Sequence, residues 1–276
     1  MTTFVVVGFA LVVVVMFAWP TAAAARRMLR RWRVSEPRPD QVAEALSYLR
    51  RRRFWYPWLL ALGLFTLAPH VELLLASVLA ALLIAELLAL RSTRARLRTA
   101  TLAPRAAFDL VPRRPAALLA ILATVTAILA LLAIGIRASV EVEAELVIVE
   151  LDVVHPDRSA WLLLGATAAC LIAVGVVWQV AVLRPASGDP EVDAVLRIRS
   201  ARVAVALGLA LQALLLAASV QVIGGYHADL LSGVVPAWFS ELGVWINWMP
   251  VVAFCTSLSV WRSLVTPATK RSPAAR

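Results

Sequence analysis

Apolar runs long enough to cross a bilayer alternate with short arginine-rich segments along the chain. An α-helix rises about 1.5 Å per residue, so about 20 apolar residues cover a hydrocarbon core of about 30 Å. Seven runs approach that length: 4 to 24, 54 to 69, 72 to 90, 115 to 136, 160 to 183, 202 to 224 and 246 to 264. Together they predict an all-α, polytopic transmembrane helical bundle of about seven spans. The second run has only 16 residues, and His70 and Glu72 interrupt it, so runs two and three either cross twice or form a re-entrant hairpin.

The segments between the runs fix an expected orientation. Segments 25 to 53, 91 to 114, 184 to 202 and 262 to 276 hold 25 of the 27 Arg and Lys residues, leaving only Arg137 and Arg158 elsewhere. Basic loops stay on the cytoplasmic side. The N-terminus is therefore expected outside and the C-terminus inside, and an even number of crossings between the first two basic segments preserves this for either form of runs two and three. Trp55, Tyr56 and Trp58 at the inner end, and Trp238, Trp245 and Trp248 at the outer end of the last hairpin, suit interfacial aromatic belts.

Pro39-Asp40-Gln41-Val42-Ala43-Glu44-Ala45-Leu46 aligns faintly with Asp189-Pro190-Glu191-Val192-Asp193-Ala194-Val195-Leu196. Each leads into a basic patch and a hydrophobic hairpin, which suggests a parallel 3+1+3 internal repeat, although shared loop composition gives the same likeness. The corresponding divisions are a first three-span half (1–114), a fourth span with an outer loop (115–159), and a second three-span half with a basic tail (160–276). In the outer loop, Glu141, Glu143 and Glu145 alternate with apolar residues at the strand period, predicting a short extended acidic segment within 137 to 159. Its six acids attract cations or simply solvate the surface. Residues Pro39 to Arg53 predict a short amphipathic helix, with Val42, Leu46 and Leu49 near one face, that docks a partner or lies on the inner leaflet.

Composition places the chain in lipid: 62% of its 276 residues are hydrophobic and 16% charged, against about 45–50% and 25% in soluble domains. The net charge of +10 belongs to the inter-span segments, with no nucleic-acid motif, so anionic lipid head groups are the expected partner and nucleic acid is not. Lys270 is the single lysine beside 26 arginines, a GC-rich codon bias that points to a bacterial plasma membrane. The first run resembles a signal peptide only in its small residues Thr21 to Ala25, since its basic cluster follows rather than precedes it; an uncleaved first span is expected. Cys170 and Cys255 lie in apolar runs outside any CxxC spacing and read as free thiols packed like small apolar residues.

Candidate chemistry is sparse. His70, His155 and His227 fall in segments assigned to the outer side, each two residues from a carboxylate: Glu72, Asp157 and Asp229. Histidine with carboxylate is a transition-metal ligand set, and a repeat would bring His70 and Glu72 towards His227 and Asp229; ordinary surface hydrogen bonding is the competing reading. Glu86 is an intramembrane carboxylate, either a transport residue or one snorkelling towards Arg91 or Arg94. Gln179, Gln212 and Gln221 read as helix-to-helix hydrogen bonders. No nucleophile elbow, P-loop, dinucleotide fingerprint or metalloprotease helix is present, so neither catalysis nor a cofactor is expected. The leading expectation is a non-catalytic membrane subunit of a transport or envelope assembly, with partner subunits or further copies of itself. A stand-alone small-substrate or ion transporter and an outer-facing metal-binding or sensing protein are the alternatives.

Overall fold

The computed structural model describes residues 19–32, 34, 36–67, 74–91, 110–147, 159–183, 189–230 and 237–265. Among them are seven helices and no strands: α1 (Ala22–Arg31), α2 (Pro39–Leu67), α3 (Leu74–Arg91), α4 (Arg113–Val147), α5 (Ser159–Leu183), α6 (Pro190–Leu230) and α7 (Ala237–Val265). Three contain stretches long and apolar enough to cross a membrane, at Arg113–Gly135, Ser159–Leu183 and Pro190–Ile223. α6 is the most enclosed, with 78% of its apolar window buried against 39% for α4 and 33% for α5.

The chain forms two compact units that are discontinuous in sequence. The first comprises 1–115, 173–207 and 259–276; the second comprises 116–172 and 208–258. In the first, α1 packs on α2 and α2 on α3. Thr21 caps α1 by accepting from the Ala24 amide, while Arg30 and Arg31 occupy the last turn, where cations suit the helix dipole. Ala25 and Leu29 of α1 enter one core with Val34, Val42, Ala45, Tyr48, Ala89, Val192, Val195 and Leu196.

α2 and α6 start by a shared device. Arg38 and Asp189 precede Pro39 and Pro190, and proline at the first helical position lacks only an amide that would go unpaired anyway. At α2 the Gln41 side chain reaches back to accept from the Arg38 amide at 2.9 Å. At α6 the Asp189 carboxylate accepts from the Glu191 and Val192 amides at 2.9 and 3.4 Å. Asp189 also joins the two starts, because its other oxygen accepts from Arg38 Nη2 and from Gln41 Nε2 at 3.0 Å.

The second unit shows large apolar side chains on its exterior, including Ile121, Ile128 and Leu131 of α4, Trp161, Leu162 and Ile172 of α5, and Trp248, Val252 and Phe254 of α7. Exposed apolar surface on this scale would be unfavourable against water and suits hydrocarbon. Inside the unit, Gln212 donates to the Thr167 carbonyl at 3.4 Å, Cys170 to the Gly208 carbonyl at 3.8 Å and Ser257 to the Leu209 carbonyl at 3.3 Å. These bonds link α5 and α7 to α6, as polar residues do between membrane helices.

Several sequence expectations are corrected. The extended segment is helical where it is described: α4 runs unbroken to Val147 through Glu141, Glu143 and Glu145. Adding a residue to a formed helix avoids the nucleation penalty, and glutamate is a good helix former, so propagation from the long apolar stretch overrides a short alternating pattern. Residues 148–158 lie outside the described set. Residues 22–24 belong to the basic helix α1 rather than to the first span, because Trp19, Pro20 and Thr21 are non-helical before it. The Pro39–Arg53 helix is the first half of a continuous 29-residue α2 containing Pro57. Its Val42 and Ala45 are buried against the chain's own α1 and α6, not held out for a partner.

Candidate functional site

The strongest concentration of buried polar chemistry lies in the first unit. Helical spacing puts Tyr48 and Arg52 one turn apart on α2. α3 supplies Glu86, which is fully buried, and α6 supplies Arg199 and Ser200.

One Glu86 oxygen accepts from the Tyr48 hydroxyl. The other lies 2.6 Å from Arg52 Nε, an ion pair without the N–H···O alignment of a good hydrogen bond. Tyr48 Oη accepts from Arg199 Nη1 at 3.2 Å and lies 2.8 Å from Ser200 Oγ. A phenol has one hydrogen, and Glu86 takes it, so the Ser200 hydroxyl donates to Tyr48. Arg199 also lies over the Tyr48 ring and Arg52 over the Tyr56 ring, each 5.6 Å from the centroid.

Burial, then the Glu86 charge, pushes the Tyr48 phenol well above its ordinary range, so it stays protonated. For Arg52 burial disfavours the charge, but Glu86 outweighs it and the guanidinium is held more firmly protonated than usual. Arg52 pairs with the Glu86 carboxylate, and Arg199 brings a second guanidinium to Tyr48. Tyr48 is a poor base and Ser200 has no base beside it here. The arrangement pins three helices together.

Other charged side chains of α6 are engaged as well. Asp193 and Arg197, one turn apart on α6, form an ion pair with both side chains 4% exposed. Arg202 stacks over Trp32 at 5.5 Å and donates to the Leu110 carbonyl at 3.3 Å.

Of the residues singled out from the sequence, Glu86 is placed at the centre of this cluster, held by Arg52 and Tyr48 of α2. His70, Glu72, His155 and Asp157 lie outside the described residues. His227 and Asp229 fall in the last turns of α6, with their side chains outside the described set. Among the described residues no group of three or more His, Cys, Asp or Glu could hold a metal ion. Cys170 is buried and Cys255 exposed, and both are free thiols. Gln212 is fully buried and bonded to α5, whereas Gln179 and Gln221 are exposed.

Sequence reasoning missed Tyr48, Arg52, Arg199 and Ser200. The four-residue spacing of Tyr48 and Arg52 on one helix face was available, but nothing local pairs them with a carboxylate 34 or more residues away. The Asp193–Arg197 pair was within reach of the same spacing rule. No protein-family model, curated protein or solved structure matches this chain.

Proposed function

We propose that this chain is a non-catalytic integral membrane subunit of a transport or envelope-associated assembly, acting with other protein chains or further copies of itself. The observation that carries the reading is that Glu86, Tyr48 and Ser200 contact one another and Arg52 within the chain and tie α2, α3 and α6 together. A cluster whose contacts run between three helices suits a scaffold that holds helix ends in register better than a reactive centre.

The finer architecture belongs to the same proposal: about seven spans in a bacterial plasma membrane, basic loops and C-terminus in the cytoplasm, N-terminus outside, and two halves related by duplication. The paired starts of α2 and α6, each with proline at the first position and joined through Asp189, favour a duplicated pattern without requiring one.

A second reading has one observation in its favour. A carboxylate fully buried in an apolar helix is a recurrent feature of ion and proton pathways, and Glu86 is one. In that reading the Arg52–Glu86 pair closes the inner end of a transporter and opens with its cycle.

The test is isolation from native membranes in mild detergent, with quantification of co-purifying chains. The subunit reading expects a companion chain at constant stoichiometry through successive columns. A chain that arrives alone and drives ion-dependent uptake in liposomes, lost in Glu86→Gln, would replace it with the transporter.

A further inference from the structure

α1 carries its arginines in an arrangement that the core beneath it holds in place. At 100° per residue, Arg26, Arg27, Arg30 and Arg31 cover an arc of about 140°, centred opposite the side that presents Ala25, Met28, Leu29 and Trp32. Ala25 and Leu29 are fully buried in the core shared with α2 and α6, and Met28 and Trp32 pack against it. All four arginines are exposed. None has a hydrogen-bond or ion-pair partner among the described residues.

Usually an amphipathic helix meets a membrane through its apolar side. Here the chain's own core fills that side, so α1 cannot insert by it, and every charge on its free surface is cationic. The apolar run expected to form the first span leads directly into α1, with only the non-helical Trp19, Pro20 and Thr21 before the helix starts at Ala22, so the arginines lie close to the expected membrane edge. Basic loops retained on the cytoplasmic side place this edge at the inner leaflet, whose lipids carry the anionic charge.

We propose that the Arg26/Arg27/Arg30/Arg31 face of α1 is a docking surface for anionic phospholipid head groups. Guanidinium groups suit phosphate because their planar N–H forks donate in pairs to its oxygens. Because the helix is already folded against α2 and α6, little ordering is needed on binding, and bound lipid stabilises the unit to which it attaches. The proposal rests on the orientation given above but not on the existence of a partner subunit.

The test uses the purified full-length protein in neutral detergent, titrated separately with dioleoyl phosphatidylglycerol and dioleoyl phosphatidylcholine while thermal unfolding is followed. Phosphatidylglycerol should stabilise the protein at concentrations at least tenfold lower than phosphatidylcholine in 0.1 M NaCl, and that preference should collapse in 1 M NaCl, where charges are screened within about 3 Å. The Arg26→Gln, Arg27→Gln, Arg30→Gln, Arg31→Gln combination should abolish the preference, since each basic group near a lipid surface contributes about fivefold. Lysine at the same four positions should retain most of it. A wild-type protein indifferent to head-group charge overturns the proposal, as does a preference that persists in 1 M NaCl or survives in the glutamine variant. If the glutamine variant cannot be purified, the wild-type salt response and the lysine variant decide.

Discussion

Glu86 is where removal of a single atom group has the largest expected effect. Its carboxylate compensates Arg52 in a buried setting, and deleting one partner of a buried ion pair leaves the other charge stranded, at about 3–5 kcal/mol. Glu86→Ala should therefore lower the unfolding midpoint in detergent sharply, and Glu86→Leu combined with Arg52→Met should recover most of the loss, because apolar replacement of both members is often neutral or stabilising. A double variant no better than the single one would show that the two residues do not act as a pair. Asp189 tests a milder interaction. Gln41 above all, helped by the amides of Glu191 and Val192 and the Arg38 guanidinium, holds its carboxyl below the ordinary value of 3.8 although burial opposes the shift. A lowered pKa means that its contribution is complete above 3.8 and is lost as pH falls through the folded value. Asp189→Ala should cost about 1 kcal/mol at pH 7, as loss of an N-cap does, and the difference from wild type should shrink only below about pH 4.

At the scale of elements, α1 is the least expected piece and has the most direct test. Leu29 is fully buried where α1 meets α2 and α6, so Leu29→Ala should cost about 2–4 kcal/mol. Hydrogen exchange should report it as faster amide exchange over 22–31, with α4 and α5 unchanged; unchanged protection of α1 would contradict the packing described. Much of the helix content was legible in the sequence, because runs 115 to 136, 160 to 183 and 202 to 224 correspond to apolar stretches of α4, α5 and α6. Two features were not. The glutamate alternation after Arg137 carried a strand period, yet a local pattern cannot register that a long helix is already formed at its edge. The short helix α1 was hidden because small and basic residues following an apolar run look like the tail of a span. Only the burial of Ala25 and Leu29 in a core made by distant segments reveals its amphipathic role. The Glu86 cluster was legible in part: an acid in an apolar run is conspicuous, but its partners come from α2 and α6, and sequence offered only the neighbouring Arg91 and Arg94.

For the whole molecule, every functional reading depends on the bilayer side to which α1 and the starts of α2 and α6 belong. In the orientation proposed from the charge distribution they lie in the cytoplasm. Ser47 and Glu191 are exposed positions near those starts, and Arg158 is in the segment assigned to the outside. The decisive measurement is labelling by a membrane-impermeant maleimide of Ser47→Cys, Glu191→Cys and Arg158→Cys, each in a Cys170→Ser, Cys255→Ser background. Intact cells are compared with inverted membrane vesicles. The account predicts that Ser47→Cys and Glu191→Cys react only in inverted vesicles and Arg158→Cys only in intact cells. Reaction of Ser47→Cys or Glu191→Cys from the outside of intact cells would contradict it, and would remove both the inner-leaflet role of α1 and the inner-end placement of the Glu86 cluster.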